Sequence, residues 1–275
     1  SCSKKLTERI ALIVEYSGTG FHGWQRQAGN IGTVQTHVES AVSQVANHPV
    51  QVTCAGRTDA GVHATKQVVH FDTVSSRLPR AWILGSNAHL PDGIAVVWSG
   101  VVAAGFSARF SARWRQYKYL IFNSPLKTAL FASHLTRVPR PLCAERMNEA
   151  AQALLGERDF SSMRGAGCQS RTPMRCVHTC SVVRDGDLVV LDIVANAFLL
   201  HMVRNIAGVL MDIGAGVKPV TWMAELLALR DRTAGSVTAP AAGLYLVDVG
   251  YPDEGAIPAG ARLPHLFTRL GKVDG

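Results

Sequence analysis

Residues 50–73 read VQVTCAGRTDAGVHATKQVVHFDT. Two runs rich in valine, threonine and aromatic residues flank a segment dense in glycine and charge, the pattern of strand, turn-rich loop and strand. VQVTCAG leads into the loop and KQVVHFDT leaves it. The loop sets one carboxylate, Asp59, between Gly56 and Gly61, with Arg57 before it and His63 beyond. Glycines there allow positive φ and a close approach of backbone to a ligand. Two readings of Asp59 stand at this level. It can close an Asx turn for backbone reasons alone, with Arg57 a solvated charge. Held ionised by an arginine, it can instead be a lone nucleophile.

Outward from this loop, RIALIVEY (residues 9–16) reads as a strand and SGTGFHGWQRQAGN as turns. A helix begins between Thr33 and Thr36. Thr36 and Glu39 have capping-box spacing, and Val38, Ala41, Val42 and Val45 share an apolar face. Beyond the loop come a helix over residues 79–88 and the strand GIAVVWSGVV. The succession β-α-β-β-α-β is that of a ferredoxin-like α+β unit.

The second half repeats the theme. FSARFSARWRQYKYLIFN (residues 106–123) predicts one long strand with Arg113, Arg115, Tyr117 and Tyr119 on one face. Trp114, Gln116, Lys118 and Leu120 take the other face. A basic and aromatic strand can neutralise phosphates and stack on bases, or it can be a sheet surface with ordinary cross-strand pairs. A helix over residues 141–155, a long loop (156–173) and a hairpin turning at Asp185–Gly186 follow. FLLHMVRNIAGVLMDIG predicts a helix capped by Asn196 and ended by Gly214 or Gly216. Its core face is Leu199, Met202, Val203, Ile206, Val209 and Leu210; His201 and Arg204 share a more polar face. A short helix and the strand GLYLVDVGY close the unit. The expected organisation is a flexible N-terminus (1–8), an α+β domain carrying the Asp59 loop (9–106), a second α+β domain (107–252) and a Pro/Gly-rich tail (253–275).

Composition narrows the partners. Lysine and arginine number 28 against 20 acidic residues, a net charge of +8 that suits a polyanion such as nucleic acid. No secretory leader or 18-residue uncharged apolar run is visible, and six scattered cysteines do not form a disulfide framework, so a reduced, cytoplasmic protein without a membrane span is expected. Cys176, His178 and Cys180 alternate along a strand with Met174 and Val182, which predicts a buried apolar face more readily than a zinc site. No nucleophile elbow, P-loop or dinucleotide fingerprint is present.

The stretches EYSGTGFHGWQRQ, TVQTHVESAV, CAGRTDAGVHATKQVVHFDT, NAHLPDGIAV, ARFSARWRQYKYLIFN, GERDFSSMR, ANAFLLHMVRNIAGVL and TAPAAGLYLVDVGY together resemble the TruA family of tRNA pseudouridine synthases, across residues 10–251. The resemblance implies two ferredoxin-like or RRM-like α+β units whose mainly antiparallel sheets join into one extended sheet, with an active-site cleft between them. It implies isomerisation of uridine to pseudouridine in the anticodon stem-loop of tRNA, at a flipped-out base. Asp59 matches the catalytic aspartate, Tyr117 the active-site tyrosine and Arg204 the basic residue that pairs with the aspartate. Arg57 matches a residue linked to base flipping; His63, Arg113, Arg115 and Lys118 are the further candidate RNA contacts. The family works as a homodimer and needs no metal, organic or nucleotide cofactor. Ser107 stands where many relatives have histidine, a departure that bears at most on RNA contacts. A non-catalytic RNA-binding module on the same fold is the alternative; it has no need of Asp59 paired with Arg204.

Overall fold

The computed structural model describes residues 6–29, 31–252 and 257–262. The chain is α+β and divides into two compact units. Described residues up to Arg113 together with those from Leu246 onward form one, and Trp114–Tyr245 the other.

In the first unit, β1 (Glu8–Tyr16) is a run of β-branched and aliphatic residues buried on both faces from Ile10 to Val14. Such a strand can only sit inside a sheet. It pairs antiparallel with β3 (His63–Thr73) on one side and β4 (Ile94–Val102) on the other. Helix α1 (Val34–Ala46) lies between β1 and the two-residue β2 (Thr53–Cys54), and α2 (Pro79–Asn87) lies between β3 and β4. Because β2 pairs with β3, the sheet order of these four strands is β4-β1-β3-β2, the ferredoxin-like order. The strand expected over VQVTCAG is cut to two residues because the chain leaves the sheet at Ala55 to build the Asp59 loop. The rest of that edge of β3 is taken by β10 (Leu244–Gly250).

Helix α1 starts where expected, but its capping box lies three residues earlier than the Thr36–Glu39 pair. Its N-cap is Thr33, whose hydroxyl accepts from the Thr36 amide while the Thr36 hydroxyl accepts from the Thr33 amide. Glu39 takes no part in the cap. It is buried, accepts from Gln35 Nε2 and the Val52 amide, and pairs with Arg26. A buried carboxylate bonded this way fixes α1 against the approach to the Asp59 loop.

The second unit contains β5 (Trp114–Asn123), β6 (Thr136–Val138), α3 (Ala144–Ala151), β7 (Gly156–Asp159), β8 (Met174–Asp185), β9 (Leu188–Ala195), α4 (Met202–Gly214) and α5 (Trp222–Leu229). Its sheet runs β5-β9-β8-β7, antiparallel throughout, with β6 parallel on β5. The β8–β9 hairpin turns through Gly186 and Asp187, one residue later than expected, with Gly186 at φ 56°. The expected long strand shortens to β5, and Arg113 stands outside it with its amide bonded to Gly250 O. Helix α4 begins at Met202 and not near Phe198. Its N-cap is His201, in the left-handed region at φ 60°, while Asn196 accepts from the Cys176 and Ala197 amides. The expected core face of α4 is buried in full.

One alternation fails. β8 slips register between Val177 and Thr179, a bulge that inserts His178 as an extra residue. Val177, Cys180 and Val182 are therefore buried, His178 is exposed and Cys176 only half-buried, so the Cys176–His178–Cys180 face does not form.

The expected domain boundary also moves. Residues 246–252 belong to the first unit, because β10 lies against β3 and Lys66 on β3 pairs with Asp248. Of the expected tail, residues 257–262 are described and fixed. The Arg262 amide donates to Val247 O, Thr65 Oγ1 donates to Arg262 O, and Ile257 is buried. Residues 253–256 and 263–275, and 1–5 of the expected flexible start, lie outside the described residues.

Candidate active site

The Asp59 loop is held from three directions. The Tyr16 hydroxyl bonds Thr58 Oγ1 at 2.7 Å inside the unit, and the Gln67 amide donates to Gly56 O at 2.5 Å. The Ala55 amide donates to Val68 O at 2.8 Å, and the Val62 amide to Asp59 O at 3.1 Å, closing the turn that Gly61 completes at φ 81°. From below, the Trp24 amide donates to Thr58 O. The segment carrying Trp24 approaches so closely that a Cβ on Gly18 would stand 2.1 Å from Val62 O, and one on Gly23 2.9 Å from Thr58 O. Thr58 and Val62 are buried, Asp59 is half-exposed and Arg57 is exposed. The sheet thus presents a carboxylate and an arginine on a loop tied by hydrogen bonds and close packing on three sides, a preorganised polar site. Gly56 has no positive φ; the close approaches come from Gly18 and Gly23, which the sequence did not link to the loop.

The adjoining Cys54 is no competing nucleophile. Burial pushes its thiol up to about 11, against the opposing pull of Arg57, its own backbone and Arg109. His63, expected as an RNA contact, is 1% exposed and accepts the Gly18 amide on Nδ1 at 2.9 Å. That is a correction: the ring is a buried brace holding the Gly18 segment under the loop.

Tyr117 and Arg204 belong to the second unit. Tyr117, at the centre of β5, is buried with its ring edge-on to Phe198, centroids 5.0 Å apart. Arg204, in the first turn of α4, is half-buried. Its Nε donates to Ala239 O at 2.7 Å and its carbonyl accepts the Ala239 amide. The segment ending at Ala239 lies tight on α4, where a Cβ on Gly208 would stand 2.3 Å from Val237 O. Arg204 is therefore oriented by backbone and does not trail from the core into water. Tyr119 plays another part. Its hydroxyl meets Thr136 and Pro240 O, and burial holds it well above the usual phenol range although Thr136 and the Arg204 charge pull the other way. It is a neutral, structural donor.

The remaining candidate contacts separate by face. Arg115 Nη1 donates to Asn196 O at 3.0 Å. Lys118 sits on the other face of β5, paired across the sheet with Asp192 at 2.5 Å, and Gln116 shares that carboxylate. Its charge is neutralised locally, which weakens the case for Lys118 as a phosphate contact. Arg113 is exposed. Among the described residues, no group of three or more His, Cys, Asp or Glu side chains is arranged to hold a metal ion.

The first unit offers an Asp–Arg loop tied on three sides, and the second an oriented tyrosine and arginine. A family model described as tRNA pseudouridine synthase matches residues 12–110 and 150–252. The chain belongs to the tRNA pseudouridine synthase family. It is 55% identical over 250 residues to tRNA pseudouridine synthase A of Tolumonas auensis, covering 91% of this chain and 95% of that protein. It is 51% identical over 267 residues to the protein of the same name from Pseudomonas aeruginosa, covering 97% and 94%. The Shigella boydii protein of that name is 55% identical over 250 residues, covering 91% and 92%. A solved archaeal box H/ACA sRNP Nop10–Cbf5 complex aligns at TM-score 0.33 and 10% identity over 88% of this chain and 59% of that one, a likeness too weak to carry an argument.

Proposed function

We propose that this protein isomerises uridine to pseudouridine in the anticodon stem-loop of tRNA, with Asp59 as its catalytic carboxylate and Tyr117 and Arg204 completing the catalytic set. The observation that carries the reading is the Asp59 loop, a half-exposed carboxylate on backbone locked by Thr58, Gln67 and the Gly18–Gly23 segment. The reaction breaks the C1′–N1 bond, turns the uracil over and joins C1′ to C5; C5 gives up one proton and N1 gains one. Atoms and electrons balance without an oxidant, a reductant or an energy source. One ionised carboxylate suffices, as nucleophile or base. A stacked uridine must be extruded first, and Arg57, exposed beside Asp59, is suited to filling the vacated space. Tyr117 offers a ring wall that keeps the detached uracil in place.

The net charge of +8 supplies sequence-independent affinity for the RNA backbone. We read the protein as cytoplasmic, where tRNA is, and among the described residues no helix is long and apolar enough to cross a membrane. We read it as a homodimer, a reading supported by Leu126 and Leu130, 74% and 87% exposed in one loop.

The test is incubation with unmodified tRNA transcript followed by mapping of pseudouridine. Wild-type protein is expected to place the product in the anticodon arm. Asp59→Asn is expected to reduce the rate by at least about 10³-fold while keeping tRNA affinity within about threefold, since the substitution removes the reacting group and not the phosphate contacts. Product elsewhere in the tRNA sinks the substrate assignment and leaves the reaction standing. Near-normal rates in Asp59→Asn sink the catalytic one.

A further inference from the structure

The loop between Met163 and β8, RGAGCQSRTP (residues 164–173), carries arginines that the site above does not use. Arg164 Nη2 donates to Cys168 O at 2.9 Å and to Ser170 O at 2.7 Å. From the other side, Arg175 Nη2 donates to Ser170 Oγ at 2.5 Å, and its Nη1 to Thr172 O and Met174 O. Two guanidinium groups thus converge on one serine, and Arg171 stands exposed between them in sequence. Among the described residues none of the three pairs with a carboxylate, and Arg175 Nε is a buried donor without a partner.

Like charges held together without an acid are costly, and here the cost is visible. Burial draws the Arg175 guanidinium down from its usual range; Cys168 pulls against this and the Arg164 charge adds to it. Cys168 shows the same local field. Burial raises its thiol, but the Leu200 and Ser170 amides and Arg164 outweigh it, and the net shift is downward. A protein keeps such an arrangement where an anion arrives to complete it.

The loop also has a fixed address. The Gly165 amide donates to Leu200 O at 2.8 Å, and a Cβ at Gly165 would stand 2.9 Å from His201 Nδ1. The loop is therefore seated on the left-handed cap residue of α4, three residues ahead of Arg204.

We infer that the Arg164–Arg171–Arg175 loop is a phosphate-binding element that grips the RNA backbone beside the nucleotide being modified. The inference rests on the tRNA reading above and adds a contact surface to it. RNA is favoured over an acidic protein because backbone carbonyls fix the Arg164 and Arg175 charges in place near the exposed Arg171, in a chain whose net charge is +8.

The experiment measures tRNA affinity against potassium chloride concentration, with every variant built on Asp59→Asn so that binding is read without turnover. Arg171→Ala and Arg175→Gln are each expected to lower the slope of log affinity on log salt by about one and to weaken binding roughly threefold to tenfold at low salt. Arg175→Lys, which keeps the charge, is expected to retain the slope. Arg77→Ala, an exposed arginine of the first unit bonded only to the Val45 and Ser76 carbonyls, is the control. Unchanged slope and affinity in both loop variants overturn the inference, as does an equal loss in the control. Circular dichroism and melting of Arg175→Gln show whether its effect is loss of fold, in which case Arg171→Ala decides. If the loop variants lose slope but the wild type forms no pseudouridine, the isomerase reading fails and the RNA contact survives; the reverse result spares the enzyme and removes the loop.

Discussion

Asp59 and Arg57 were legible in the sequence because their chemistry is packed into six residues with glycines at the ends. What holds them was not. Gly18 and Gly23 lie some forty residues upstream, and nothing local shows that Val62 O and Thr58 O will come against them. His63 was misread for the same reason: a histidine near an Asp–Arg loop suggests a ligand contact, and only the fold shows the ring turned inward on the Gly18 amide. Neighbouring glycines permit a sharp test. Gly20 has φ 82° with open space around its Cβ position, so Gly20→Ala is expected to cost only about 1–2 kcal/mol of backbone strain and to leave isomerisation intact. Gly18→Ala would drive a methyl into Val62 O, and it is expected to lower the turnover rate by more than tenfold through displacement of the Asp59 loop. Parallel melting curves and single-turnover rates separate the two outcomes.

At the scale of elements, strands and helices with a clear period were read correctly, and each error has a physical source. Alternation in β8 was read without its bulge, which two residues facing one partner create and no composition announces. The start of α4 was placed too early because Leu199 and Leu200 continue the apolar pattern, whereas His201 breaks the helix by adopting positive φ. The largest miss is β10, assigned to the nearer domain because sequence proximity is all that a linear reading has. Its anchor is the pair of Lys66, 1% exposed, with Asp248 at 2.5 Å, backed by Lys66 Nζ to Gly260 O at 2.9 Å. Lys66→Met strands a buried carboxylate and is expected to cost about 3–5 kcal/mol in denaturant unfolding. Lys66→Met with Asp248→Leu is expected to recover most of that loss, since an apolar pair satisfies the site as well as the ion pair does.

For the molecule as a whole, charge and pH act together. His70 is buried with Nδ1 accepting the Ala108 amide at 3.0 Å, and burial and the Arg9 charge hold its pKa below the usual imidazole value, although Asp72 pulls upward. Protonation is therefore easier in the unfolded chain. Stability from this group is full above about pH 6.5 and is lost as pH falls below it toward the lower folded pKa. The melting temperature is expected to fall between pH 7 and pH 5, and His70→Asn, which can still accept that amide, is expected to flatten the decline. A slope identical to wild type would show that other groups set it. The net charge of +8, legible from composition, adds self-repulsion that deepens as carboxylates protonate.

The placing of β10 has a consequence for how the protein is made. Asp248 follows Lys66 by 182 residues, so a ribosome releases the Asp59 loop long before the strand and the segment at 257–262 that lock its sheet. Through most of translation β3 of the nascent first unit lacks its β10 partner, and Lys66 lacks Asp248. The β10 side of β3 is therefore paired only late in synthesis, when Asp248 and Gly260 reach Lys66, whereas the contacts that tie the Asp59 loop itself all lie within residues 16–68.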